Sequence, residues 1–243
     1  MIKNCVISKN NATQGSGGVS CSFAYPTIQN CLVEKNQGLY GGISFYGSEC
    51  SSAKILNSRI SENSGAFGGG LDISGEASPT IENTTISMNT ATLEGGGLNI
   101  FISNPYFINC VIVNNTCIYD GFGQGGGVYC GFYPSFTNCT FAGNQADTGG
   151  DFYLFSNSSP TIKNCILWST ETPIYFGSGT PTITYSCIYG GYFGAGNINI
   201  NPQFIGGNNY ALASSSPCID TGTAIGAPNT DINGTSRPQG FGY

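Results

Sequence analysis

Eleven cysteines in a chain without histidine pose the first chemical question, because thiols can bind metal, pair as disulfides or simply fill space. Their spacing favours the last. Cys5, Cys31, Cys110, Cys139 and Cys165 recur in one column, with Ser58 and Thr84 at the equivalent place in other repeats. Residues stacked in register on parallel strands lie about 4.8 Å apart, wider than the Cβ–Cβ span of an ordinary disulfide. The column therefore reads as free, buried thiols acting as small hydrophobes. Cys21 and Cys130 likewise substitute for Ile73 and Ile100, whereas Cys50, Cys187 and Cys218 fall outside the columns. No bridge is assignable, and the odd total leaves at least one thiol unpaired within the chain. With no His and no Cys-x-x-Cys pair, a Ser-His-Asp triad and a structural zinc site lack their residues. The reading calls for no metal and no cofactor.

Carboxylates are the second candidate. Asp72 stands between Leu71 and Ile73 at a position expected to face outward, in a column with Ser20, Ser44, Asn99, Tyr129 and Tyr153. One carboxylate is not a catalytic pair, so a hydrolytic site would need loops to bring Arg59 or Asp151 to Asp72. The same column supports another chemistry. Asp72, Asn99, Tyr129 and Tyr153, with Tyr119, Phe122, Phe132 and Tyr133 in nearby loops, offer aromatic surface beside amide and carboxylate groups, which suits the C–H patches and hydroxyls of sugar rings. The competing reading is that these residues only shield a sheet from water and edge pairing.

A repeat must position these columns. Residues 79–100, PTIENTTISMNTATLEGGGLNI, recur along the chain as three brief apolar strands joined by turn-formers. Asn4, Asn30, Asn57, Asn83, Asn109, Asn138 and Asn164 mark a period of about 26 residues, and Asn10, Asn36, Asn63, Asn89, Asn115 and Asn144 mark a second column six residues on. Two readings stay open for these columns: amide ladders between coils, or left-handed corners that Asn tolerates. Three apolar columns lie between them. One runs through Ile28, Ile55, Ile81, Ile108, Ile162 and Ile183, one through Ile7, Val33, Ile60, Ile86, Ile112 and Phe141, and one through Val19, Ile43, Leu71, Leu98, Val128 and Phe152. The pattern predicts an all-β, three-sided parallel β-helix of seven or eight coils over residues 1–196, about 35 to 40 Å long. Residues 197–243, where the period breaks and Pro202, Pro217, Pro228 and Pro238 accumulate, are expected to form a final coil and a C-terminal cap of the same structural unit.

Composition excludes several partners. A formal charge of −6 with seven scattered Lys and Arg leaves no basic patch for nucleic acid. No run of 18 apolar residues exists to span a membrane as a helix. The opening residues Met1 to Cys5 enter the repeat directly, which suggests an excerpt from a longer chain.

The element Ile60-Ser61-Glu62-Asn63, echoed as Phe141-Ala142-Gly143-Asn144 and followed by Gly95 to Leu98 and Gly125 to Val128, resembles the repeat of chlamydial polymorphic membrane proteins and, more broadly, bacterial right-handed parallel β-helix repeats. The tail, with Tyr210-Ala211-Leu212, Ser216 to Gly222 and Asp231 to Gly234 leading to Arg237-Pro238, resembles choice-of-anchor Q domain proteins. These resemblances imply a secreted or surface-displayed bacterial protein of adhesin-like character. They also bring to mind the β-helical lyases and glycosidases, which need a basic residue beside clustered carboxylates, or two carboxylates about 6.5 to 9.5 Å apart. The expectation is a non-enzymatic adhesion, carbohydrate-binding or structural module, with polysaccharide or a cell-surface glycan as partner. Two alternatives remain: a polysaccharide lyase or glycoside hydrolase, and a subunit that associates end to end through unpaired strand edges.

Overall fold

The computed structural model describes the whole chain except residues 156, 170, 171, 208 and 238–243. Its backbone winds into parallel coils that build three long sheets. Face one has eight strands, from Ile2–Lys3 to Thr182–Thr184, and face two has eight, from Val6–Ser8 to Cys187–Ile188. Face three has seven, from Val19–Ser22 to Ile174–Phe176. A smaller four-stranded sheet, from Ser64–Phe67 to Gln145–Ala146, extends the leg that joins face two to face three. All these strands pair in parallel, each with its counterpart one coil away, as the period predicts. No α-helix occurs among the described residues.

Alternation along each short strand sends one residue inward per face, so the interior is filled by rows of equivalent side chains. Face one contributes Ile28, Ile55, Ile81, Phe107, Phe136, Ile162 and Ile183. Phe107 corrects the expected row: it pairs with Ile81 and is buried, while Ile108 pairs with Glu82 at the next position. Both residues are apolar, so hydrophobicity could not separate them; the two-residue spacing to the corner Asn does. Phe136 stacks on Phe107 at 4.8 Å and meets Phe141 and Phe152 edge-on at 5.4 and 5.3 Å. Such aromatic packing adds about 0.5–1.5 kcal/mol per pair beyond area burial.

The two Asn columns do different work. Every member of the first, Asn4 to Asn164, has φ between 48° and 55°, so it makes the left-handed corner from face one to face two. The second is a ladder. In Asn63, Nδ2 donates to Asn89 Oδ1 (3.0 Å) and back to Val33 O (3.0 Å), while Oδ1 accepts from both the backbone N–H and Nδ2 of Asn36. All four side-chain bonding positions of the amide are thereby satisfied. Asn89 and Asn115 repeat the arrangement, and Asn144 ends it by donating to Asp151 Oδ1 at 2.9 Å.

Ser, Thr and Cys share the corner after face one for a reason polarity alone would not suggest. Ser58 Oγ, Thr84 Oγ1, Cys31 Sγ and Cys165 Sγ each donate to the carbonyl two residues earlier. A thiol is a weak donor of the same reach. All eleven cysteines are free, and Cys5 departs from its column by being exposed. At the opposite corner the Gly-Gly steps bring backbones together: a Cβ on Gly69 would sit 2.5 Å from Gly96 O, which no side chain tolerates.

The tail divides. Around residues 189–201 the chain closes the last coil, with Tyr192 packed against the core and Ile198 bridged to Cys187. From Pro202 onward it runs back along the outside of faces one and two. There Tyr210 bonds Asn114, Thr223 bonds Asn164, and Thr230 and Arg237 bond Asn109. Pro238, part of the sequence signal for the tail, lies outside the described residues.

Candidate functional site

The outward column of face three follows the expected register: Ser20, Ser44, Asp72, Asn99, Tyr129, Tyr153 and Tyr175 on successive strands. Its middle is sunk. Asp72 is 2% exposed, Asn99 5% and Tyr129 3%, whereas Tyr153 is half-buried and Tyr175 is 40% exposed. One flank is the row just before the glycines, where Tyr40, Phe67, Glu94, Gln124 and Thr148 are bridged coil to coil. Along the other run Tyr46, Ser74 and Phe101, paired in the same fashion.

Within this strip Asn99 Nδ2 donates to Asp72 Oδ1 at 2.6 Å, and Ser74 Oγ donates to Asp72 Oδ2 at 3.0 Å. Both bonds favour the carboxylate, yet burial dominates and pushes the Asp72 pKa up to about 6. Glu94 is also raised, by burial first and by Asp72 second. Asn99 Oδ1 is buried without a hydrogen-bond partner. Tyr129, Tyr153 and Tyr175 form a stacked ladder, with centroids 5.4 and 4.9 Å apart and planes 6° and 16° from parallel. The rings spend their faces on one another. What remains for a ligand is the row of ring edges, the phenol groups and the outer rings Phe101 and Phe155, each 41% exposed.

The structure brings Asp72, Asn99, Tyr129 and Tyr153 into one column and does not join Arg59 or Asp151 to it. Arg59 lies on face two, in a cleft under the tail. Asp151 is fully buried at the end of the Asn ladder, where it accepts from Asn144 and from Ser169 N and Oγ. Burial raises its pKa to about 6 as well. The carboxylate that does approach Asp72 is Glu94, which sequence reasoning missed. The signal was present: Glu94 directly precedes a glycine triplet in the column that also holds Phe67 and Gln124. Of the loop aromatics, Tyr119 and Phe122 sit on a loop tied down by Asp147, whose Oδ2 accepts from Tyr119 N and Gly123 N at 2.8 Å each. Tyr133 packs on Phe132 and is 51% exposed. A cavity of about 340 Å3 opens beside Tyr175, lined also by Ile118, Asp147 and Thr148. No group of three or more acidic, Cys or His side chains placed to hold a metal occurs among the described residues.

Comparison with known proteins gives a match over residues 1–130 to the family model described as "Right handed beta helix region". No curated protein and no solved structure matches the chain.

Proposed function

The chain belongs to the right-handed β-helix family, and from that premise we propose that it works outside the cell or at its surface as a non-enzymatic module binding an extended polysaccharide along face three. The observation carrying this reading is the in-register ladder Tyr129, Tyr153 and Tyr175, continuous with Asn99 and Asp72. A linear glycan repeats along its axis as the coils do, so the phenols of Tyr153 and Tyr175, on successive coils, give one polar contact per step, with buried Tyr129 supporting them from below. Phe101 and Phe155 supply the apolar surface at the margin. Asp72 and Asn99 hold the floor rather than touch the ligand. The likeness of the repeats and the tail to polymorphic membrane and choice-of-anchor proteins supports the surface setting.

The test is binding of the purified chain to a glycan array and to soluble pectin and alginate, with Tyr153→Ala and Tyr175→Ala alongside wild type. The reading expects binding without new reducing or unsaturated ends, weakened about tenfold in each variant, which is about 1.4 kcal/mol. Unchanged binding by both variants would remove face three from the account.

One observation favours a hydrolytic second reading: two carboxyls within electrostatic reach, Asp72 and Glu94, both held above the ordinary range. Under that reading Asp72→Asn and Glu94→Gln each abolish release of reducing ends.

A further inference from the structure

Two outward columns share face three, and they are built differently. Beside the ladder from Asp72 to Tyr175, the residues Tyr46, Ser74 and Phe101 pair in register two positions further along their strands. Backbone bonds from Gly131 N to Ile100 O, Phe155 N to Cys130 O and Gly177 N to Leu154 O carry this second column on through Gly131, Phe155 and Gly177. Size alternates along it. From Tyr46 to Gly177, every second coil presents an aromatic ring and the coil between presents only Ser or Gly. Neighbouring coils lie about 4.8 Å apart, so the backbone positions of Tyr46, Phe101 and Phe155 follow one another at roughly 9.6 Å.

The small residues decide how the rings lie. A Cβ on Gly75 would fall 2.7 Å from Tyr46 Cε2, and one on Gly131 would fall 3.3 Å from Phe101 Cδ2, so each ring rests against a glycine of the next coil. Phe23 meets Tyr46 edge-on at 5.5 Å, and Phe155 packs on Tyr129 at 5.8 Å. The rings are thus held in place while Tyr46 stays 51% exposed and Phe101 and Phe155 41%. Tyr129, Tyr153 and Tyr175, on consecutive coils, stack on one another instead. At twice the strand spacing such stacking is out of reach, and the ring surface is left for a ligand. Charge narrows what that ligand is. None of the seven Lys and Arg, all of them described residues, stands on a strand of face three, whereas Asp72 stands on it and Glu94 in the adjoining row. A polyanion would meet carboxylates and no cation.

We propose that the ligand of face three is a neutral β-1,4-linked glycan of glucose or N-acetylglucosamine, laid along the coil axis as an extended ribbon with alternate sugars stacked on Tyr46, Phe101 and Phe155. This rests on the reading of face three as a glycan-binding surface. In such a ribbon each sugar is turned over relative to the next, so every second sugar presents the same face, and that repeat is close to two strand spacings. The ring substituents are equatorial in this configuration. Both faces of each sugar are therefore C–H patches, the surface that an aromatic ring accepts. The sugar between two stacked ones falls over Ser74 or Gly131, where no bulky side chain obstructs it. α-1,4-Linked and β-1,3-linked chains coil, and do not keep alternate faces in line with a column of this spacing.

Calorimetric titration of the full chain with cello- and chito-oligosaccharides of two to six sugars tests this, with maltohexaose, laminarihexaose and oligogalacturonate as competitors in class. The two series tell a glucan from an N-acetylglucosamine polymer, and binding in either supports the proposal. Rings on alternate coils engage the first, third and fifth sugars, so affinity should climb about tenfold from two to three sugars and again from four to five. Little should be gained from three to four or from five to six. Phe101→Ala should weaken pentasaccharide binding about tenfold and erase the step from two to three sugars. Phe101→Tyr, which keeps a ring, should bind as wild type does, and both variants should keep the wild-type circular dichroism. Tighter binding of maltohexaose, laminarihexaose or oligogalacturonate overturns the proposal while leaving face three a glycan-binding surface. So does a length series without steps, or Phe101→Ala binding as tightly as wild type. Failure to bind any of these sugars, or pectin or alginate, overturns the underlying reading as well.

Discussion

In the coils, Asn63 has Asn36 on one side and Asn89 on the other, each making the same bonds; in the tail, Thr223 meets Asn164, Tyr210 meets Asn114, and neither contact recurs. Both regions use Asn, Thr and carbonyl groups at ordinary distances. The difference is burial and repetition. A ladder amide is shut away from water with all its bonding positions filled, so losing one strands its neighbours. A tail contact is part-exposed, and water replaces it at little loss. Stability should therefore be concentrated in the coils, with the tail an attachment that opens on its own.

Substitutions that separate the two regions should rank accordingly. Phe136→Ala empties the point where four aromatic rings converge and should lower unfolding free energy by about 3–5 kcal/mol in urea titrations. Next comes Asn89→Ala, which leaves Asn63 without its acceptor and Ile60 O without its donor; about 3 kcal/mol is expected. A loss under 1 kcal/mol would mean the ladder does not carry the coils. The third is a pH effect. The folded-state pKa of Asp72 is raised to about 6 from 3.8, so the folded state holds more protons than the unfolded between those values. Its contribution is full below the unfolded pKa and lost as pH rises through about 6. Asp72→Asn should reduce the fall in stability between pH 4 and pH 7 by on the order of 2 kcal/mol, Asp151 supplying a similar remaining slope. The smallest effect belongs to the tail: Tyr210→Phe removes the bond to Asn114 and should cost about 1 kcal/mol or less globally. It should nonetheless speed hydrogen exchange in the tail strand Asn209–Leu212.

How far the sequence could carry the account follows from the same contrast. Rows such as Ile60, Ile86 and Ile112 were legible because each coil repeats the residue pattern of the last. Where two apolar residues adjoin, as at Phe107 and Ile108, composition is silent and only counting from Asn109 decides. The two Asn columns looked alike in sequence, yet one supplies corner geometry and the other buried amides, since the choice depends on which side of the backbone faces the core. Asp72 was placed in its column correctly, but its depth depends on flanking rows that are not adjacent in sequence. Glu94 was passed over for that reason. Asp151 looked like a candidate partner for Asp72 and instead closes the ladder from within. The path of the tail was illegible beyond its irregularity, because its contacts pair residues such as Asn109 and Arg237 that share no pattern.

Every rung from Asn10 to Asn144 donates in the same sense, toward the later coil, and the run terminates on the Asp151 carboxylate. Aligned amide dipoles add, so the column is a small electret with its positive pole resting on an anion. The column therefore has a direction, and the pole toward the later coils is neutralised and sealed by Asp151. Duplicating or excising a whole coil preserves this vector, whereas grafting one in reversed orientation would set donor against donor. Lengthening such a protein is thus a directional operation, like adding links to a chain whose clasp is already fastened.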